Sequence, residues 1–481
     1  MRLNVVLRYV GIVMLFNAAF MVLSAGVSYF YDIDSGFQPL LLSAALTAVI
    51  GAFPLIFVGS NEQISNKEGY TIVVGAWLMS CVVGSFPYLL WGGEFGFIDA
   101  WFESVSGYTT TGATILNDVE ALPKGLLFWR SLTHWMGGVG VVMFALVILP
   151  SLGRSKMTIS NVELSSIAKD NYRYRANTII RILLTVYLGI TLCCTLLLRV
   201  AGMDFFDAIN HAMSTVATGG FSTKNLSIAY YDNIWIEIVL TFFMVLSGIH
   251  FGLIFATFTG KYMNIFRSEV VRYYLLSLII GCLAISVSIW LGGSYESFWS
   301  ALRYSSFELA TYATTTGFAV ADSNLWSPFA ITLLMIFSIQ CGCAGSTSGG
   351  IKCDRVCIAA KAIWAKIRQQ QHPNAIFRIK LGGVVQEKSV SDFVMLFIVL
   401  YLFLILVGTV VMTAAGLDLV TAFSTSIANL GNVGPGFGET GGFNSYANLP
   451  GFVRFFCPLL MLFGRLEIFG LLQLFLLKWW K

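Results

Sequence analysis

Four turns rich in threonine and glycine are the part of this chain best suited to bind a ligand. They close four related segments, FIDAWFESVSGYTTTGAT, FFDAINHAMSTVATGGFST, SFELATYATTTGFA and TAFSTSIANLGNVGPG, whose anchor glycines are Gly112, Gly220, Gly317 and Gly434. Glycine reaches backbone angles that are closed to other residues, and it places no side chain over the peptide groups. The chemistry that such turns offer is that of backbone carbonyls, which bind cations.

The segments that carry these turns behave as internal repeats. Asp99 and Asp207 each stand 13 residues before an anchor glycine, and Glu103 and Glu308 each stand 9 before one. The anchors recur at intervals of about 100 residues, and a fixed period indicates repeated structural units. Each unit reads as helix, short re-entrant helix, Thr/Gly turn and helix. The predicted division is 1–65 (two helices outside the repeats), 66–160, 161–268, 269–368 and 369–481.

The composition excludes an ordinary water-soluble chain. Of 481 residues, 57% are hydrophobic and 11% are charged, whereas about a quarter of the residues of a soluble protein are charged. A bilayer is crossed by roughly 20 apolar residues in a helix. We predict spans near residues 8–30, 38–59, 70–92, 126–149, 178–201, 233–257, 272–293, 328–365 (interrupted), 393–415 and 452–478. The predicted fold is an all-α polytopic membrane protein with about ten transmembrane helices.

The charged residues divide the connecting segments into an acidic kind and a basic kind. The net charge of +4 is small, and no basic stripe with interleaved aromatics favours nucleic acid. The basic kind carries Arg154, Lys156, Lys169, Arg173, Arg175, Lys261, Arg267, Lys361, Lys366, Arg368, Arg378, Lys380 and Lys388. Because Lys and Arg collect in cytoplasmic loops, this pattern predicts that both termini are cytoplasmic.

Each Thr/Gly turn follows an apolar run of about a dozen residues, which is too short to cross a bilayer. Four similar units imply a pseudo-fourfold arrangement in which the turns meet at a central axis. Irregular backbone survives at membrane depth only where it is buried in protein or lines an aqueous cavity. The turns would therefore form a ring of carbonyls, and the half-helices would direct their partially negative C-terminal ends at it. Both effects favour a bound cation.

The four turns TTTGA, ATGGF, TTTGF and NVGPG resemble the selectivity-filter loops of the Trk/Ktr/HKT superfamily, and the length of the chain is similar to its ten-helix Trk type. In that family the residues leading into each glycine supply the filter carbonyls. Carried over to this chain, they are Thr110, Thr111 and Gly112; Thr218, Gly219 and Gly220; Thr315, Thr316 and Gly317; and Asn432, Val433 and Gly434. Glycine in all four turns resembles the potassium-selective members. The alternative, that the glycines only permit close helix packing, does not explain the threonines.

The span near residues 328–365 is interrupted by a polar, helix-breaking run. The run consists of Gly345, Ser346, Thr347, Ser348, Gly349 and Gly350, and glycine costs about 1 kcal/mol in a helix. We expect an intramembrane loop there. It does not fit a phosphate-binding loop, because Ile351 stands before Lys352. The resemblance implies that this loop gates the pore and lies near Arg465 of the last helix. Alternatively, Arg465 extends to the membrane surface or pairs with an acidic residue.

The resemblance further implies a homodimer in the inner membrane of a bacterium and a cytosolic nucleotide-binding regulatory subunit. That subunit could dock on the basic segment from Lys352 to Lys388, although the basic segment is equally explained by topology. The function that the resemblance implies is potassium uptake across the cytoplasmic membrane through the carbonyl-lined filter, with potassium as the bound ion and no organic cofactor. The alternative function is a secondary transporter that couples potassium to sodium or protons through a broken helix.

An intramembrane enzyme or a metalloprotein is disfavoured by the distribution of possible catalytic and ligating side chains. His134, His211 and His250 fall in different repeats, with no HExxH spacing. The cysteines from Cys341 to Cys357 lack a convincing histidine partner for zinc. Arg130, His134 and His250 are expected to be buried, hydrogen-bonded residues rather than ligands.

Overall fold

The computed structural model describes residues 2–59, 64–148, 176–258 and 264–475. In these ranges the helices are α1 (Leu3–Phe30), α2 (Phe37–Phe57), α3 (Asn66–Gly84), α4 (Phe86–Trp91), α5 (Phe97–Tyr108), α6 (Lys124–Ile148), α7 (Ala176–Val200), α8 (Phe205–Val216), α9 (Ile234–Ser247), α10 (Phe251–Phe258), α11 (Asn264–Arg267), α12 (Glu269–Leu291), α13 (Phe298–Ala313), α14 (Pro328–Gln340), α15 (Cys353–Gln371), α16 (Lys388–Ala414), α17 (Leu419–Leu430), α18 (Gly451–Arg465) and α19 (Phe469–Phe475). Short 3₁₀ turns lie at Ser227–Tyr231, Ser323–Leu325, Gly438–Thr440 and Tyr446–Asn448. The strands β1 (Lys380–Leu381) and β2 (Val384–Val385) pair antiparallel, with Lys380 opposite Val385.

Several helices are long and apolar enough to cross a membrane. Six candidates meet that test among the described residues, and a seventh is added if α9 and α10 count as one bent span. The six are α1, α2, α3 with α4, α7 from Arg181, α12 and α16. The other predicted spans coincide with α6 and with two interrupted pairs, α14 with α15 and α18 with α19. The chain is a multipass, all-helical membrane protein; the count of about ten spans stays a prediction.

Four short helices alternate with the long ones at the predicted re-entrant positions. Helices α5, α8 and α17 have 12 residues and α13 has 16. At 1.5 Å per residue they are about 18 to 24 Å long, which is less than the hydrocarbon thickness of roughly 30 Å. Three of them begin at a side chain that accepts a backbone N–H, as N-caps do: Asp204, Ser297 and Asp418.

The helices follow one another in four similar units, and the predicted bounds of these units stay a prediction. The four units are α3 to α6, α7 to α10, α12 to α15 and α16 to α19, each with a long helix, a short helix, a turn and a second helix. Helices α1 and α2 pack on each other and on the first unit. The predicted boundary at residue 160 lies outside the described residues, as do the basic residues from Arg154 to Arg175 and Lys261.

Two spans that the sequence predicts as uninterrupted, 233–257 and 452–478, are broken in the structure. Helix α9 meets α10 at an angle of 103°, because the imidazole Nδ1 of His250 accepts the Gly252 N–H at 2.9 Å and starts a new helix. Helix α18 ends at Arg465, and positive φ angles of 52° and 53° at Glu467 and Ile468 prevent it from continuing directly into α19. Together with the predicted break between α14 and α15, the second helices of three repeats are therefore interrupted.

Candidate functional site

The four predicted turns adopt one backbone conformation, repeated four times. We refer to residues 110–112, 218–220, 315–317 and 432–434 as the four triads. The first residue of each triad has a left-handed φ: 52° at Thr110, 56° at Thr218, 59° at Thr315 and 55° at Asn432. The third residue also has one: 81° at Gly112, 82° at Gly220, 82° at Gly317 and 98° at Gly434. The middle residues do not, and an alternating backbone of this kind can present consecutive carbonyls on one side.

The triads close into a ring through their glycines. A Cβ built on Gly112 would collide with the carbonyl oxygen of Gly219, the middle residue of the second triad. The same collision recurs from Gly220 to Thr316, from Gly317 to Val433 and from Gly434 back to Thr111. Each anchor glycine thus packs against the middle carbonyl of the next triad, in cyclic order. The close approach and the positive φ both require glycine, and they place Gly220 rather than Gly219 at the anchor position.

In every triad the first and middle N–H groups are hydrogen-bonded, whereas all but one of the carbonyls have no donor among the described residues. In each triad the middle N–H bonds to the carbonyl five residues back in the short helix: Thr111 to Ser106 at 2.9 Å, Gly219 to Ser214 at 2.8 Å, Thr316 to Thr311 at 2.9 Å and Val433 to Ala428 at 2.8 Å. Among the described residues, no donor lies on the carbonyls of residues 110–112, 218–220, 315–317 or 432–433, and Gly434 accepts the Tyr446 hydroxyl at 2.7 Å. Buried carbonyls of this kind are cation ligands.

Side chains nine residues before each anchor glycine hold the chain that leaves the ring. Glu308 accepts the N–H groups of Val320 and Ala321 at 2.9 and 3.2 Å. Glu103 occupies the same position in the first repeat and accepts the Ile115 N–H at 3.2 Å. The equivalents in the other repeats are His211, whose Nε2 lies 3.0 Å from the Ser222 hydroxyl, and Thr425, whose hydroxyl lies 2.8 Å from that of Thr440. The role is shared although the residue type differs.

Buried charge and aromatic stacking stabilise the interface between the first two repeats. The guanidinium of Arg130 lies 2.7 Å from the carboxylate of Glu103 and 4.0 Å from the ring centroid of Phe221. The imidazole of His134 also stacks on the ring of Phe221, with centroids 4.0 Å apart. Arg130 and His134 are thus packing residues, in agreement with the expectation from the sequence.

A cavity of about 540 Å³ adjoins the ring on the side toward which the chain leaves the triads. All four anchor glycines line it, together with charged residues that include Arg130, Lys224 and Glu439. Lys224 lies 3.7 Å from Glu120 and 4.0 Å from Asp207, so this lysine of the cavity wall is paired with acidic residues behind the wall.

The interruption between α14 and α15 lies on the side of the ring where the short helices end. We call residues 341–352 the break loop. The Thr347 hydroxyl donates to the carbonyl of Val216, the last residue of α8, at 3.0 Å, and the Gly349 N–H donates to the Thr315 hydroxyl at 2.9 Å. The predicted polar run from Gly345 to Gly350 therefore packs directly against two of the four repeats.

Arg465 reaches the break loop. Its Nη1 donates to the Thr347 carbonyl at 2.8 Å, and its Nη2 donates to the Gly137 carbonyl at 3.3 Å. Arg465 is 5% exposed, which argues against extension to the membrane surface. In the described ranges its hydrogen bonds go to carbonyls, and the nearby Glu467 pairs instead with Arg355 at 2.7 Å.

Comparisons with known proteins agree with this geometry. The model of the TrkH family, described as cation transport protein, matches residues 39–479. The chain is 34% identical to the Trk system potassium uptake protein TrkH of Halomonas elongata, over 100% of both chains. It is 34% identical to TrkG of Escherichia coli, over 88% of this chain and 87% of that protein. It is also similar to the crystal structure of the potassium transporter TrkH from Vibrio parahaemolyticus, with a TM-score of 0.91, 30% identity and full coverage of both chains.

The chain belongs to the TrkH family. This confirms the resemblance seen in the sequence, and it makes the protein a transporter rather than an enzyme. The all-helical membrane fold expected for a Trk-type protein is likewise confirmed.

Sequence reasoning missed how this TrkH-family chain completes its fourth triad, which departs from Thr-Thr-Gly. The side-chain amide of Asn432 donates to the Thr111 hydroxyl at 3.0 Å and to the Met461 carbonyl at 2.9 Å. It thus ties the fourth triad to the first triad and to α18. The departure from the pattern was the available signal, because an amide can bond two partners where a threonine hydroxyl donates to one.

Replacing Glu308 with leucine should destabilise the protein more than replacing it with glutamine. Leucine leaves two buried N–H groups without an acceptor, at about 1 to 3 kcal/mol each, whereas glutamine retains one acceptor oxygen. The measurement is the thermal unfolding midpoint of the purified protein in detergent. Glu94, which is exposed, provides the matched control, and Glu94→Leu should leave the midpoint unchanged. Equal midpoints for both Glu308 variants would remove this carboxylate from the support of the ring.

Proposed function

We propose that this protein takes up potassium across the membrane through the ring of triads, which serves as a selectivity filter. The observation that carries the proposal is the cyclic contact of the four triads, in which the middle amides bond to the short helices and the middle carbonyls accept no donor among the described residues. Such a ring replaces the hydration shell of a cation. The names of the relatives, potassium uptake proteins, support the choice of ion.

The short helices add to the preference for a cation. One residue separates the end of each of α5, α8, α13 and α17 from its triad, so the C-terminal carbonyls of these helices direct a partial negative charge toward the ring. A membrane potential negative inside then draws a cation inward with about 2.3 kcal/mol per charge for each 100 mV. If the protein lies in a bacterial inner membrane with both termini in the cytoplasm, the cavity lined by the four anchor glycines faces outward.

The break loop and Arg465 form the gate of this proposal. The break loop, which is bonded to the end of α8 and to the third triad, obstructs the path on the cytoplasmic side of the ring. The guanidinium of Arg465 adds an electrostatic barrier to cations. The family resemblance supports a homodimer and a cytosolic nucleotide-binding regulatory subunit, which would act on the loop through α15. Potassium is then the transported ion, held by the triad carbonyls, and no organic cofactor takes part.

Coupled transport of potassium with sodium or protons is the second candidate. The interruptions between α9 and α10, α14 and α15, and α18 and α19 favour it, because carriers bind ions at broken helices. A coupled carrier saturates and moves a second ion in a fixed ratio. A channel gives currents that reverse at the potassium equilibrium potential.

Proteoliposomes that contain the purified chain should take up radioactive rubidium, and external potassium should suppress this uptake while equimolar sodium does not. The carbonyl ring fits ions that dehydrate at low cost, and rubidium and potassium are alike in this respect. Protein-free liposomes are the control. Equal competition by sodium would contradict a potassium filter.

Replacing Gly112 with serine should lower the discrimination between potassium and sodium. The added side chain would displace the Gly219 carbonyl. If the bound potassium loses about 1.4 kcal/mol of interaction with that carbonyl, its affinity for the ring falls roughly tenfold. Gly189 on α7 has no atom within 4 Å of a built Cβ, so Gly189→Ser is a matched control. Rubidium uptake with sodium as competitor measures the ratio. Unchanged discrimination in Gly112→Ser would remove Gly112 from the filter.

Deleting Ala344 to Ser348 should raise rubidium flux, because the deletion removes the Thr347 groups that bond Val216 and Arg465. Thr347→Ser retains the hydroxyl and should stay near the wild-type rate. The measurement is the initial rate of uptake by the chain alone in proteoliposomes. Equal flux with and without the loop would leave it a packing role, and no flux in either form would contradict conduction itself.

A further inference from the structure

A basic cleft lies where the interrupted third repeat leaves the membrane. It is a cavity of about 360 Å³ between one face of α15 and the segment that enters β1. Four cationic side chains line it, and no acidic residue does; the lining residues are Ala360, Lys361, Trp364, Ala365, Arg368, Phe377, Arg378, Ile379 and Lys380. We call this set the basic cleft. Its chemistry suits a phosphate group.

The charge of the basic cleft is only partly compensated by the protein. Lys361 pairs with Glu269 and donates to the Lys380 carbonyl at 2.7 Å. The guanidinium of Arg368 lies 5.2 Å from the ring centroid of Trp364. In the ranges that the structure describes, no carboxylate lies against Arg378 or Lys380, and both side chains are exposed. The cleft therefore keeps an excess of positive charge.

The position of the basic cleft is fixed by the ends of two membrane spans. Glu269, the partner of Lys361, is the first residue of α12, a 23-residue span, and its carboxylate also accepts the Gly382 N–H at 2.8 Å. Helix α16, a 27-residue span, begins at Lys388, three residues after β2. Since spans begin where the hydrocarbon begins, the cleft lies at the depth of the lipid headgroups.

Apolar side chains beside the cleft are exposed in a way that suits acyl chains. Ile363, Trp364 and Ile367, on neighbouring positions of α15, are 51%, 57% and 44% exposed, and Ile376 is 87% exposed. Tryptophan is enriched at the headgroup level of membranes, and basic residues there attract anionic lipids. A soluble anion would not use these apolar side chains.

We infer that the basic cleft binds the phosphate headgroup of an anionic phospholipid of the leaflet it faces, with the acyl chains against Ile363, Trp364 and Ile367. The bound lipid restrains α15, whose first residue, Cys353, follows the break loop directly. The lipid would thus influence the gate, and this last step rests on the proposed function. The binding itself does not depend on it.

Lipid binding to the full-length chain tests the inference. The delipidated protein in nonionic detergent is titrated with phosphatidylglycerol or with phosphatidylcholine, and bound lipids are counted by native mass spectrometry. The test variant is R378Q/K380Q. The control K366Q/K388Q removes the same charge from exposed residues that do not line the cleft. The test variant should bind phosphatidylglycerol roughly 10- to 30-fold more weakly, the loss expected for two basic side chains at an anionic surface, and the control should bind as wild type does.

Four other outcomes would overturn the inference. An equal loss in both variants would indicate general attraction, and binding of phosphatidylcholine as tight as that of phosphatidylglycerol would exclude headgroup recognition. Displacement of the lipid by glycerol 3-phosphate at similar concentration would indicate a site for a soluble anion. Unchanged binding in R378Q/K380Q would show that the basic cleft does not bind the lipid, and an acidic protein surface would then be its remaining partner. A chain that binds the lipid but passes no rubidium would sustain this inference and contradict the proposed function.

Discussion

The structure depends on one constraint, that backbone carbonyls inside a bilayer need a partner. An unpaired peptide group in hydrocarbon costs several kcal/mol, yet four segments of this chain leave helical geometry at the same depth. The cost is avoided for the middle amides, because each of them bonds to the preceding short helix. The carbonyls are gathered into a ring, and in the proposed function a cation is their partner there. Only glycine allows the contacts that close the ring, because a Cβ at any anchor position would push the carbonyl of the next triad away.

The fourfold repetition is strict in the backbone and loose in the side chains. The triads share signs of φ, hydrogen bonds and the cyclic glycine contact. The residue that supports the chain leaving the ring, in contrast, differs from repeat to repeat: it is Glu103, His211, Glu308 and Thr425 in turn. Glu103 is paired with Arg130, whereas Glu308 has no cationic partner among the described residues. Any buried acceptor or hydroxyl can hold that chain, because the requirement there is to satisfy hydrogen bonds. The ring tolerates less variation, because a Cβ on any anchor glycine would collide with the carbonyl of the next triad.

The sequence predicts the ring and the third interruption because their signals are local. The positions of the triads follow from repeated Thr/Gly turns, and six consecutive polar or small residues from Gly345 to Gly350 cannot continue a membrane helix. The bend at His250 and the break at Glu467 could not be predicted in this way. Each depends on contacts with other repeats: Cys343 donates to the Gly248 carbonyl at 2.8 Å, and Arg355 binds Glu467. Long-range pairing of this kind leaves no periodicity in the residues themselves. Because the breaks divide spans into shorter helices, six or seven candidates among the described residues are long and apolar enough to cross a membrane.

Arg465 supplies an argument for a cation site that is independent of the relatives. A guanidinium buried at membrane depth needs compensation, and here its hydrogen bonds go to the carbonyls of Thr347 and Gly137. The C-terminal ends of the short helices also direct partial negative charge to this side of the ring. The field that stabilises the protein's own fixed cation is of the sign that stabilises a mobile one. A fixed cation in the same field competes with an ion that leaves the ring, so the proposed conduction requires Arg465 and the break loop to move together.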